Sequence, residues 1–285
     1  MRTYAFVNQK GGVGKTTTAI SLGAELGSRG LKVLIVDSDP QANATSCLGI
    51  EPGSVVEGTY DAMIDRLPAS DCVLHSPNLK LTILPSSPAL AGAQIEMVNM
   101  PGRESALKHA LSPLSGNFDY VLIDCPPSLG LLTINGLIAA ASGVIIPVQC
   151  EYLALEGLSQ LMQTLQRVRS SLFPGLAVRG LLLTMYDSRT RLSREVAEEL
   201  RGHFRNSVFE TVIPRSIRLA EAPSHGLPIA AYDPNSPGGI AYRKFTDEIV
   251  ASDGAQVEIP ESKTRASRSE VSTSFGDQDG VSHGA

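Results

Sequence analysis

Residues 10–17 read KGGVGKTT, three glycines and a Lys-Thr-Thr run set between a short apolar segment at 4–7 and a stretch with helical apolar spacing at 16–28. Few chains can accommodate this order of elements in more than one way. Glycine reaches positive φ at little cost, so the loop can curl with its N–H groups turned inward. The helix that follows adds partial positive charge at its N-terminus. A strand, a glycine loop and a helix in register therefore predict the first unit of a parallel α/β sheet carrying a cradle for phosphate. A glycine-rich turn that merely caps a helix is the alternative for a lone triplet. The Lys-Thr pair at the helix start argues against it, because Lys15 then stands where an ammonium neutralises β- and γ-phosphates and the Thr16 hydroxyl where it ligates Mg²⁺. The standard pattern G-x-x-x-x-G-K-[ST] nevertheless fails, since its first glycine position is Gln9.

The rest of the chain repeats the alternation. Apolar runs at 32–36, 79–84, 120–123, 143–147 and 178–183 read as strands, with helix candidates at 87–98, 103–111, 129–141, 154–170 and 193–204. Strands apolar on both faces and separated by helices predict an α/β, doubly wound, mostly parallel sheet covered on both sides. Seven Phe, seven Tyr and no Trp leave the core to Val, Ile, Leu and Ala. Residues 1–250 form one expected domain. Residues 251–285, rich in Ser, Gly and charge, read as a disordered polar tail. Four scattered cysteines without a C-x-x-C pair read as reduced, mostly buried thiols. No apolar run is long enough to span a bilayer and the N-terminus enters a strand directly, so a cytoplasmic protein is expected.

Acidic residues end two of the strand-like runs: Asp37, followed by Asp39, in VLIVDSDPQANAT (33–45), and Asp124 in YVLIDCPPSLG (120–130). A carboxylate at the carboxyl edge of a parallel sheet lies beside the phosphate loop. Asp124 is placed to hold Mg²⁺ through water, and Asp37 to support the ion or its waters. Each alone reads equally well as a loop Asp or a helix cap.

KGGVGKTT resembles the deviant Walker A motif of the ParA/MinD group of P-loop ATPases, in which the extra lysine, here Lys10, is the signature. The segments 148–161 (VQCEYLALEGLSQL), 183–193 (LTMYDSRTRLS) and 212–229 (VIPRSIRLAEAPSHGLPI) are similar to Soj-like ParA chromosome-partitioning ATPases, and the likeness spans residues 1–250. The resemblance implies ATP bound by Lys10, Gly11, Gly12, Val13, Gly14, Lys15, Thr16 and Thr17, with Pro214 near the adenine and Lys10 reaching the nucleotide of a second copy in an ATP-sandwich homodimer. By spacing alone Lys10 is a solvated surface lysine. The resemblance also puts the orientation of the attacking water on Asp39. The family usually has DPQGN where this chain has Ala42, a methyl that is tolerated unless the backbone there needs positive φ. One catalytic carboxylate and no evident arginine finger predict slow turnover without a partner.

Residues 179–218 hold eight arginines against five acids, inside a chain of net charge -5. Guanidinium groups bind phosphate in a planar fork. The residues alone favour a solvated charged helix face. The resemblance implies non-specific DNA binding by the ATP-bound dimer through Arg189 and Arg218, nucleoid association, and release when a ParB-like centromere-binding protein stimulates hydrolysis, so that a chromosome or plasmid is segregated. Within the same superfamily the alternative is an ATPase that positions a membrane-bound or cytosolic protein complex. The membrane-binding branch needs a basic amphipathic C-terminal helix, and residues 251–285 carry no such stripe, so no stable membrane association is expected. With a strand beginning at about Thr3, no N-terminal helix-turn-helix is expected. No iron–sulfur cluster is assigned to Cys125.

Overall fold

Along the first strand Tyr4 and Phe6 belong to one apolar cluster and Ala5 and Val7 to another, and all four are buried. Side chains alternate across a strand, so this is the mark of a sheet covered on both faces. In the computed structural model, which describes residues 1–64, 66–76 and 79–253, the strands are β1 (Arg2–Phe6), β2 (Val33–Asp37), β3 (Leu74–Ser76), β4 (Leu81–Leu84), β5 (Tyr120–Asp124), β6 (Gly143–Gln149), β7 (Val178–Tyr186) and β8 (Val208–Pro214). They form one sheet in the order β3-β4-β2-β5-β1-β6-β7-β8, parallel except for the β3–β4 pair. The chain starts in the middle, winds outward through β2 to β4, returns at β5 and winds out the other way. This is the doubly wound sheet expected, with its switch point beside β1.

The helices Lys15–Ser28 and Pro237–Ala251 cover one face, where Leu22, Leu26, Tyr242 and Phe245 meet Tyr4, Phe6, Ile35 and Leu122. The helices Leu90–Glu96, Ala106–Leu111, Leu131–Ala139, Ala154–Ser171 and Arg191–Phe204 cover the other, with Leu107, Leu132, Leu161 and Leu200 against Ala5, Val36, Val121 and Ile146. Cys47, Cys72, Cys125 and Cys150 are free thiols, and all but Cys47 are buried. No helix among the described residues is long and apolar enough to cross a membrane.

Two edge strands and the last helix depart from the sequence reading, as do the short helices Asn43–Cys47, Thr59–Met63, Ala69–Cys72, Ile217–Glu221 and Ile229–Tyr232. β3 is a short, half-exposed edge strand with no apolar alternation to announce it. β8 is an edge strand with a mixed burial pattern, and Glu210 and Thr211 in its middle hide it from a periodicity test. The helix Pro237–Ala251 opens with Gly238 and Gly239, poor helix formers that mask its apolar stripe. Its start is marked instead by the Ser236 side chain, which accepts the Gly239 N–H at 3.2 Å, and by Pro237 in the first turn. Its end is held at the amino edge of the sheet, where the hydroxyls of Tyr4 and Tyr120 donate to Asp253. Helix and turn thus take in residues 251–253, at the start of the segment read as a tail; residues 254–285 lie outside the described residues.

Gly239 is required by close approach. A Cβ there would meet the carbonyl oxygens of Pro234 and Asp233 at 2.7 and 2.8 Å. Gly239→Ala gains about 1 kcal/mol of helix propensity but forces backbone apart, at a cost of about 1–3 kcal/mol. A net loss of stability is expected, visible as a lower denaturation midpoint.

Candidate nucleotide-binding site

Parallel pairing aligns Phe6 with Asp124 and Asp37 with Asp124, so three neighbouring strands end at one level. The glycine loop rises from β1, beside the strand that ends in Asp124. Gly12 and Gly14 have φ of +74° and +91°, which only glycine adopts without strain. The loop is braced from both sides by residues outside the motif. Asn8 donates from Nδ2 to the Pro147 carbonyl at 2.7 Å, and its Oδ1 accepts the Lys10 N–H at 3.0 Å. The Thr184 hydroxyl, near the end of β7, donates to the Val13 carbonyl at 2.8 Å. Lys15 is buried and its Nζ donates to the Lys10 carbonyl at 3.4 Å, so the loop folds around the ammonium. Burial lowers the Lys15 pKa, and the charges of nearby acids, Asp124 foremost, oppose that shift.

Asp124 is fully buried, and its Oδ2 accepts the Thr16 hydroxyl at 2.6 Å. Its Oδ1 has no hydrogen-bond partner among the described residues. Burial, and after it the charge of Asp37, raises the Asp124 pKa well above the usual carboxylate range. A buried carboxylate oxygen left unsatisfied costs about 1–3 kcal/mol or more. A hard cation with oxygen ligands removes that cost, and the Thr16 hydroxyl and the Asp124 carboxylate are the donors Mg²⁺ takes beside phosphate oxygens and water. The residues present therefore fit Mg²⁺-ATP.

Asp37 is already engaged by its own loop. Its Oδ2 accepts both the N–H and the hydroxyl of Thr45 at 2.8 Å, and its Oδ1 accepts the Asp39 N–H at 3.1 Å. Burial pushes its pKa up to about 6 against these bonds. Asp39 is buried, and its Oδ1 accepts the Gln41 N–H at 2.9 Å. The turn that follows puts Ala42 at φ +50°, ψ +38°. The condition on which the methyl was to be tolerated is thus not met: the backbone at 42 does take positive φ. The left-handed conformation costs an alanine about 1–2 kcal/mol. The methyl is also fully buried, which returns about 0.8 kcal/mol.

Beside the loop, Gly14 and Thr17 share a cavity of about 260 Å³ with Thr184, Met185, Pro214 and Tyr242. Pro214 thus stands next to the phosphate loop. Lys10 is half-exposed and its Nζ pairs with Glu151 of the same chain. Arg189 and Arg218 follow the carboxyl ends of β7 and β8, strands paired at Tyr186 and Pro214. Both are exposed and ion-paired: Arg189 Nη2 to Asp187 at 2.8 Å, and Arg218 to Glu221 at 2.9 Å and Asp233 at 3.5 Å. Arg179, counted in the basic span, is instead buried near the amino end of β7, so it adds nothing to this surface. The bracing residues Asn8 and Thr184 escaped sequence reasoning, because Pro147 and Val13, their partners, lie far away in the chain and no spacing records them.

A glycine cradle on a helix N-terminus, a buried lysine and a hydroxyl–carboxylate pair at the switch point of a doubly wound sheet define a P-loop ATPase. A family model described as an AAA domain matches residues 1–178. The chain is 52% identical over 250 residues to the sporulation initiation inhibitor protein Soj of Bacillus subtilis, covering 88% of this chain and 98% of that one. It is 49% identical over 253 residues to the chromosome-partitioning ATPase Soj of Treponema pallidum, covering 89% and 98%. Among solved structures, cobyrinic acid a,c-diamide synthase from Mycobacterium smegmatis with bound ADP and magnesium superposes with a TM-score of 0.79 at 39% identity, covering 91% of this chain and 98% of that one. The chain belongs to the Soj/ParA family of partitioning ATPases.

Three variants test the site. Lys15→Ala removes the one buried cation of the cradle and is expected to weaken Mg²⁺-ATP binding on the order of 100-fold, measured by titration calorimetry. Ala42→Gly relieves the strain but loses the buried methyl and adds unfolded-chain entropy, about 0.4–1 kcal/mol. Its denaturation midpoint is expected within about 1 kcal/mol of the parent, whereas β-branched Ala42→Val is expected to cost more than about 2 kcal/mol.

Proposed function

We propose that this ATPase partitions DNA: an ATP-bound homodimer binds DNA without sequence preference and lets go when hydrolysis, accelerated by a ParB-like centromere-binding protein, takes the dimer apart. The cargo is a chromosome or a plasmid, and the ATP-bound protein resides on the nucleoid. One observation carries the DNA half of this reading. The strand ends that wall the cavity beside the phosphate loop, Thr184–Met185 on β7 and Pro214 on β8, run directly into the segments bearing Arg189 and Arg218. The two strand ends are also tied to each other, since the Arg215 N–H donates to the Tyr186 carbonyl at 3.0 Å. A change of nucleotide in the cavity thereby has a short path to the arginine surface.

Within the site, bound Mg²⁺-ATP supplies the phosphoryl group and a cation that neutralises charge as it moves to the leaving oxygen. The glycine-loop N–H groups of residues 11–14 and the Lys15 ammonium hold phosphate oxygens. Thr16 and Asp124 hold the cation, with Asp37 behind them, and Asp39 orients the attacking water. Pro214 packs on the base. The Lys10 ammonium is half-exposed and, among the described residues, pairs with Glu151, a contact of the kind that contributes about 0–1 kcal/mol in water. Leaving Glu151 for the phosphates of a second copy therefore costs little.

Arg189 and Arg218 give the test. Electrophoretic mobility shifts across a salt series, with ATP and with ADP, are expected to show DNA retention only with ATP. Replacing both arginines by alanine is expected to reduce the slope of log affinity against log salt by about one unit for each phosphate that is no longer neutralised. An unchanged slope would return both side chains to a solvated charged face.

A further inference from the structure

The loop that carries Asp39 is held by a buried set of hydroxyls that no motif identifies. Ser38 donates both its N–H, at 3.0 Å, and its hydroxyl, at 2.7 Å, to the Asp124 carbonyl, tying the loop to β5. Thr45 turns back to Asp37 with both its N–H and its hydroxyl at 2.8 Å, closing the loop on itself. Ser86, just beyond the end of β4, then completes a bridge. Its N–H donates to Thr45 Oγ1 at 2.9 Å and its hydroxyl donates to the Asp39 carbonyl at 2.8 Å. Thr45 and Ser86 are both fully buried. The Thr59 hydroxyl adds a bond to the Asp37 carbonyl at 2.7 Å.

The Thr45 hydroxyl is the joint of this arrangement. It spends its one proton on Asp37 and offers its oxygen to Ser86, so its donor and acceptor capacities are both in use. Through it the carboxylate of Asp37 is linked to the residue that fixes the Asp39 backbone. The Asp39 side chain contributes only one bond to this local frame, from the Gln41 N–H. Its position is therefore set mainly by its main chain, and its main-chain carbonyl is held by Ser86 and by the Ala42 N–H.

We propose that Thr45 and Ser86 are positioning residues for hydrolysis, fixing the backbone of Asp39 so that its carboxylate meets the attacking water at the right place. Among the described residues neither side chain hydrogen-bonds to residues 10–17. Their loss displaces a group needed for turnover while leaving the cradle of residues 10–17 intact. This proposal rests on Asp39 orienting the water.

The test is single-turnover hydrolysis of Mg²⁺-ATP by the full chain, with nucleotide affinity and thermal unfolding measured on the same samples. Thr45→Val keeps the shape and the N–H bond but removes the hydroxyl. Thr45→Ser keeps the hydroxyl and removes the methyl. Thr45→Val and Ser86→Ala are expected to slow hydrolysis roughly 10- to 100-fold with ATP affinity within about twofold, while Thr45→Ser stays near the parent rate. Added to Asp39→Ala, neither change should slow the residual rate further. If Thr45→Val fails to fold, Ser86→Ala alone decides, since it leaves the Asp37–Thr45 closure in place. Parental hydrolysis in Thr45→Val or Ser86→Ala, with Asp39→Ala slow, overturns the positioning role and spares the role of Asp39. So does an equal loss of rate in Thr45→Ser and Thr45→Val, or a further slowing in the Asp39→Ala background. A parental rate in Asp39→Ala removes both.

Discussion

A fully buried carboxylate with one oxygen unpaired is the constraint around which this protein is arranged. Asp124 ends the strand next to the glycine loop, gives Oδ2 to Thr16 and leaves Oδ1 without a partner among the described residues. Such a group is costly to ionise in a dry site, and its raised pKa records that cost. A cation held there would remove that cost, so nucleotide with Mg²⁺ would stabilise the chain by satisfying what the protein alone leaves open. Lys15 supplies a nearby positive charge but directs its hydrogen bond to the Lys10 carbonyl.

Everything nearby serves to hold that edge of the sheet. The glycine loop has no regular hydrogen-bond ladder of its own, and its conformation depends on Asn8 reaching β6 and Thr184 reaching back from β7. The Asp39 loop depends in the same way on Ser38, Thr45 and Ser86. Both loops are fixed by neutral hydroxyl and amide side chains bonded to main-chain groups. Such bonds contribute modestly each, about 0.5–1.5 kcal/mol, but leaving a buried partner unpaired costs more. That asymmetry makes a rigid site out of irregular backbone. The arginine surface is built on the opposite principle. Its ion pairs are exposed and of little net stability, so they can be exchanged for other anionic partners at small cost.

Much of the fold was legible because it rests on local rules. Apolar runs buried on both faces announced a parallel sheet, and the strand–loop–helix register of KGGVGKTT announced the phosphate cradle. Positions 37 and 124 were recognisable as strand-end acids, and their level with one another follows from parallel pairing. The edge strands β3 and β8 were not legible, since half-exposed strands lose the clean alternation on which pattern reading depends. Neither was the last helix, whose opening glycines serve close contacts with Leu219 and with the Asp233 and Pro234 carbonyls and so violate helix propensity.

The sequence by itself determined the chemistry available: a glycine loop able to turn its amides inward, a lysine, a hydroxyl and strand-end carboxylates, each legible from its own short stretch of chain. Only the tertiary structure decided how those groups are held and which of them remain open. Asp37 is tied to Thr45, eight residues on, while Asp124 keeps a free oxygen. Ala42 sits where glycine would relax, kept there by the burial of its methyl. Ser86 reaches Asp39 from the end of another strand. The Ser86–Asp39 bond joins segments far apart in sequence, and hydrogen bonds across that distance leave no periodicity or spacing in the chain to be read.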